Sequence, residues 1–176
     1  MYGSTGDGMR KEDDSTNPLT AYARSKIGTE QAHNLVAILK EHPTLKSLCG
    51  NMGNETELNM SGKGIGPVGA IMLAPEIVAN GALVKLVLKD NRLAQKEAGK
   101  ALGEMLASNT SLKVLDLSDN YGVGARDGPG FAQELAVGLR ANGALASLDL
   151  SQNGIRAEEM GPIERLCESK QIALRK

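Results

Sequence analysis

The sequence predicts a single α/β fold: a right-handed solenoid of about four to five units, with a curved parallel sheet inside and helices outside. Three observations predict it. A leucine pattern ending in asparagine recurs along the chain, and the stretches between its copies carry apolar residues at helical spacing. The composition, 41% apolar and 23% charged over 176 residues, is that of one soluble globular unit.

The repeat is read first, because a fixed period sets the whole fold. LVKLVLKDNRL begins at Leu83, LKVLDLSDN at Leu112 and LASLDLSQNGI at Leu145, each fitting L-x-x-L-x-L-x-x-N. The asparagines Asn91, Asn120 and Asn153 are spaced by 29 and 33 residues, the excess matching an insertion in the Gly-rich stretch Gly122 to Gly130. One unit upstream, ELNMSGKGI places Leu58, Met60 and Ile65 in the same register, with Lys63 where asparagine would stand.

Between these copies lie Ala70, Leu73 and Ile77; Ala98, Leu102 and Leu106; Phe131, Leu135 and Leu139; and Met160, Ile163 and Cys167. Spacings of three and four place each set on one helix face. Ala32, Leu35 and Leu39, following Ile27, mark a degenerate first repeat.

Within a unit, Leu86 and Leu88 alternate inward while Lys85, Val87 and Lys89 point out, and the next helix covers the inward side. One unit cannot bury that side alone; stacked neighbours can. The asparagine amide is suited to satisfy backbone groups where the chain leaves the strand. Lys63 accepts no hydrogen bond, so the turn at 61–66 is expected to close differently, through Gly62, Gly64 and Gly66.

With this period and motif the chain resembles the ribonuclease-inhibitor-like class of leucine-rich repeats, strand plus full helix, over roughly residues 25 to 170. Similar repeats occur in ribonuclease inhibitor, in sensor regions of nucleotide-binding innate-immune receptors, in the Ran GTPase activator and in tropomodulins. The resemblance implies binding to another macromolecule. Two stretches depart from it. Residues 49–56 (CGNMGNET) break the register, and residues 1–18 form a polar arm ahead of a repeat domain spanning 19–176, whose last repeat is cut short.

Charge and composition narrow the function. With 20 basic and 21 acidic residues the net charge is −1, so no overall field draws nucleic acid or an anionic membrane. Aromatic residues make up 2%, which removes the usual base-stacking platforms. No run of 18 apolar residues suggests a membrane span. Cys49 and Cys167 share no metal or disulfide spacing, and an intracellular setting, cytoplasmic or nuclear, is expected.

Several motifs imitate chemistry. Gly64-Ile65-Gly66-Pro67-Val68-Gly69 is a literal GxGxxG with Asp90 ending the next strand, the arrangement of a dinucleotide-binding unit. The sister turns lack it, which favours a repeat turn. Around Lys63 a phosphate loop fails, because Glu57 stands where glycine is required and Gly64 where a magnesium-holding hydroxyl is required. Asp116, Ser118, Asn120 and Asp127 imitate a calcium loop, with Tyr121 where glycine is needed. His33 and His42 have no ligand partner at i, i+4, and Cys167 falls at a core position. No cofactor, metal or catalytic set is expected.

The candidate site is therefore the concave strand face. Its outward residues are Glu57, Asn59 and Ser61; Lys85, Val87 and Lys89; Val114, Asp116 and Ser118; and Ser147, Asp149 and Ser151, with Asp116 beside Asp149. A protein-binding scaffold is expected, with an unidentified protein as partner. The alternative is a regulator of a small GTPase akin to the Ran GTPase activator, using Arg92, Arg126 or Arg156 from loops after the strands. At the C-terminal end, Gln171-Ile172-Ala173-Leu174 falls where another strand begins, with Ile172 and Leu174 left available and Glu158, Glu159, Glu164, Arg165 and Glu168 solvating the last helix. Weak self-association through that end, or a chain cut from a longer parent, is expected.

Overall fold

A computed structural model describes residues 27–45, 47–121 and 129–176. The polar arm, most of the Gly-rich insertion, Arg126 and Asp127 lie outside the described residues. The chain runs α1 (Thr29–Glu41), β1 (Glu57–Asn59), α2 (Gly66–Ala79), β2 (Lys85–Val87), α3 (Lys96–Ser108), β3 (Val114–Asp116), α4 (Pro129–Ala141), β4 (Ser147–Asp149), α5 (Ala157–Lys170) and β5 (Ala173–Arg175). The strands form one open parallel sheet in the order β1-β2-β3-β4-β5. Among the described residues, five parallel strands alternating with five helices make an α/β solenoid.

Leu58, Leu86, Leu115, Leu148 and Leu174 lie side by side in register. They head a continuous core from Ala32 in α1 to Ile172 beside β5, with Leu88, Leu102, Leu117, Leu135 and Leu150 fully or almost fully buried. The tightest helix contact is between α3 and α4, where a Cβ on Gly138 would collide with the backbone of Gly103, and one on Gly103 would lie 2.5 Å from the Glu134 carbonyl. Glycine at these positions lets the two backbones touch.

The parallel ladder runs past each short strand into the turn: Met60 N–H donates to Val87 O, Gly62 N–H to Lys89 O and Asp90 N–H to Ser118 O, at 2.9, 2.9 and 3.1 Å. Strand-end asparagines lock these turns together. Asn120, wholly buried, accepts from the N–H groups of Asn91 (2.8 Å) and Leu93 (3.2 Å), and its amide donates to the carbonyls of Leu88 and Leu117. Asn153 does the same for Asn120 and Leu117, and Asn91 for Ile65 and Met60. Each asparagine serves the repeat before its own.

That direction explains Lys63. Residue 63 belongs to the turn after β1, and among the described residues β1 is an edge of the sheet, so an asparagine there has no preceding described strand to serve. The expectation that this turn closes by different means is only partly met. Gly62 and Gly64 take φ of +65° and +61°, the same left-handed conformation as Asp90 (+54°) and Arg92 (+60°) at matching positions. Gly66 alone is special, with φ of +59° and its N–H on the Asn91 carbonyl.

A second asparagine row stands at the helix ends. Asn80, Asn109 and Asn142 are buried at the C-caps of α2, α3 and α4. The Asn109 amide donates to Ile77 O, the Asn142 amide to Leu106 O and Asn109 O, and their side-chain oxygens accept from Leu112 and Leu145. In the last position of α5, Lys170 Nζ serves the same carbonyl row, donating to Asn142 O at 2.7 Å.

At the N-terminal end, residues 47–50 form no strand, and Leu48 and Cys49 are buried in a loop held by Glu76 of α2. The Glu76 carboxylate accepts from the N–H groups of Leu48 and Cys49, from Ser47 Oγ and from the Asn51 amide. At the other end the structure corrects two expectations. Ile172 is 6% exposed rather than available, because its N–H bonds Cys167 O and fixes it against α5. Glu159 is buried rather than solvating the helix surface, its carboxylate turned back to the N–H of Arg156.

Candidate functional site: the strand face

Side chains flanking the central leucine of each strand alternate to the side the helices leave uncovered. Register sorts them into two rows: Glu57, Lys85, Val114, Ser147 and Ala173, then Asn59, Val87, Asp116, Asp149 and Arg175. Most are half-buried or exposed. Asp116 and Asp149 are direct neighbours across β3 and β4.

Beyond the strands a third row holds Ser61, Lys89, Ser118 and Ser151. Ser118 is a correction: expected on the surface, it is 3% exposed. It sits mid-sheet beside the Lys89–Asp119 ion pair, and so short a side chain does not reach past its neighbours.

The charges are partly paired. Lys85 meets Glu57 at 3.4 Å, Lys89 meets Asp119 at 2.7 Å, and Arg175 meets Asp149 at 3.6 Å. The hydrogen bond and charge of Asp119 raise the Lys89 ammonium above its ordinary value, and Asp116 and Asp149 add to this. Asp116 accepts from the Ser118 N–H at 2.9 Å and has no ion-pair partner among the described residues. Negative charge is thus concentrated on β3 and β4.

Tyr121, after the β3 turn, enters the sequence analysis only as the residue that spoils the calcium-like spacing, not as a surface residue. The residue is 61% exposed, and its ring lies over Gly154, where a Cβ would come within 2.8 Å of it. The signal was faint: an aromatic residue two places after a turn glycine's counterpart, in a chain with few aromatics.

The motifs that imitate chemistry resolve into turns. In the GxGxxG segment, the N–H groups of Ile65 and Gly66, which a pyrophosphate would need, are held by the side chain and carbonyl of Asn91. Asn120 of the calcium-like spacing is committed to backbone groups, and no cluster of three or more His, Cys, Asp or Glu residues suited to a metal occurs among the described residues. His42 closes the turn after α1, its Nδ1 accepting from the Leu45 N–H at 3.0 Å. Cys49 and Cys167 are both buried, and burial raises the Cys167 thiol above its ordinary value. Arg92 and Arg156 do not occupy equivalent sites: Arg92 lies in a turn at φ +60°, whereas Arg156 is the N-cap of α5 and contacts Glu158 at 3.7 Å.

A family model described as Leucine Rich repeat matches residues 108–125, the segment from the end of α3 through β3 to the turn carrying Asn120. The stacked fold extends the same unit to both sides of that match. The chain carries a leucine-rich repeat, and its parallel strand and helix pattern is consistent with a leucine-rich repeat protein. No curated protein matches it at a significant level. Repeat and fold together support a protein-interaction module in general terms, since stacked repeats present an extended surface. Among the described residues, no helix is long and apolar enough to cross a membrane.

Proposed function

We propose that the strand face binds another protein, with Asp116 and Asp149 at its centre. One observation carries the reading: two carboxylates held side by side in register on the open side of the sheet, of which Asp149 is ion-paired to Arg175 while Asp116 has no ion-pair partner among the described residues. Like charges directly opposite one another weaken a sheet, so their placement favours a surface that meets a partner. Charged groups at such a surface set specificity and association rate more than raw affinity.

The test compares proteins captured from the source cell by the intact chain and by an Asp116→Lys, Asp149→Lys double variant of unchanged melting temperature. Loss of specific partners is expected with the variant. An unchanged set of partners refutes the strand face as the binding surface.

A further inference from the structure

The helix side of the stack holds a groove of about 840 Å³ between α1 and α3, floored by α2. Its floor departs from the repeat in one respect. Where α3 carries Lys96, Glu97, Lys100 and Glu104 on its outer side, α2 carries Pro67, Val68, Ile71 and Pro75 at the positions 29 residues earlier. The one charged residue of α2, Glu76, is buried on the 47–51 loop. A helix apolar on all sides is normally covered on all sides, yet Val78, on the groove floor, is 38% exposed.

The walls carry charges that the apolar floor leaves unanswered. On the α3 wall Glu97, Lys100 and Glu104 fall at i, i+3 and i+7, one face of the helix; on the α1 wall stands Lys40. None of these four has an ion-pair partner among the described residues, whereas Lys96 on the far side of α3 meets Glu134 of α4 at 3.8 Å. α1 and α2 are 13 and 14 residues long, so the trough runs about 20 Å, nearly four helical turns.

We propose that this groove docks an amphipathic helix of another protein. Its apolar stripe lies on α2. One flank presents a basic, an acidic and a second basic residue at i, i+3 or i+4, and i+7 to Glu97, Lys100 and Glu104, and the other flank an acidic residue to Lys40. This is helix-in-groove recognition, with apolar burial giving affinity and the flanks giving selection. The surface is separate from the strand face and stands or falls independently of it.

The probe is a fluorescein-labelled, 16-residue synthetic helix with a leucine stripe and a Lys-Glu-Lys flank, set against its charge-inverted counterpart, titrated with the full chain. The Lys-Glu-Lys peptide is expected to bind at least tenfold more tightly. Val78→Lys, changing an exposed floor residue, should abolish that binding, and Glu97→Lys with Glu104→Lys should reverse the preference between peptides. The wall residues are solvent-facing, so the reversal remains readable if Val78→Lys lowers stability. Asp116→Lys with Asp149→Lys should change neither result. Absence of binding by either peptide, equal binding of both, or a preference that does not reverse overturns the proposal. A concentration-dependent dimer in light scattering that Val78→Lys dissolves also overturns it, assigning the groove to a second copy.

Discussion

Asn120 and Asn153, 33 residues apart in the chain, meet in adjacent turns, where the Asn120 N–H donates to the Asn153 side-chain oxygen at 2.6 Å. The same relation links Asn91 to Asn120 at 2.8 Å. The asparagines therefore form a relay through the buried side of the turns, each link joining two repeats.

Replacing the middle member should show its weight. Asn120→Ala strands the N–H groups of Asn91 and Leu93 and removes donors from Leu88 O and Leu117 O. Buried groups left unsatisfied cost about 1–3 kcal/mol each before relaxation, so a loss of about 3 kcal/mol is expected. Urea unfolding should show a lower midpoint at unchanged slope. A loss below about 1 kcal/mol would mean that water replaces the amide.

The glycine contact of α3 and α4 makes a second prediction. Gly138→Ala brings a methyl group against the backbone of Gly103, where no side chain can yield, so the helices must separate. Overpacking of this kind costs about 1–3 kcal/mol. Gly143→Ala, with open space around its Cβ, is the control and should melt within a degree or two of the parent.

Glu76 should control the N-terminal loop. Glu76→Ala removes the acceptor shared by Leu48 and Cys49 N–H, Ser47 Oγ and the Asn51 amide. Hydrogen exchange at Leu48 and Cys49 should quicken at least tenfold, while Leu115 in β3 changes little. Glu76→Gln, which keeps one oxygen but opposes its amide to that of Asn51, should fall between.

Acid should loosen the same end. Burial pushes the Glu55 carboxyl up, but the N–H groups of Met52 (2.6 Å) and Gly53 (2.9 Å) outweigh it and hold the folded value below the ordinary 4.5. Because the folded value is depressed, the contribution to stability is fully present above 4.5 and is lost as pH falls through the folded value. Urea midpoints measured from pH 6 down to pH 2.5 should therefore converge between the parent and Glu55→Gln at the acid end and separate above it.

The period made most of this architecture legible. The alternation of Leu86 and Leu88, the strand-end asparagines and the helical sets were all visible, because a 29-residue repeat imposes the same constraint on each copy. Asn80, Asn109 and Asn142 were equally visible in principle. Their spacings of 29 and 33 copy those of the strand-end row, but they stand outside the leucine motif, which alone defines the repeat. Of the candidate site, the adjacency of Asp116 and Asp149 follows from register alone. The burial of Ser118 does not, since it depends on how far Lys89 and Asp119 extend over a shorter neighbour. The exposure of Tyr121 and the recess over α2 arise between elements, where alternation along one element carries no information.

The relay of asparagines has a direction, since every side chain reaches toward the N-terminal neighbour and none the other way. Such a stack is modular in whole units only. Duplicating residues 92–120 would give every new donor an acceptor at the same offset, and the array would lengthen without a seam. A duplication one residue shorter would set the asparagine out of step with both adjoining turns, and the two halves would behave as separate folding blocks joined by a hinge.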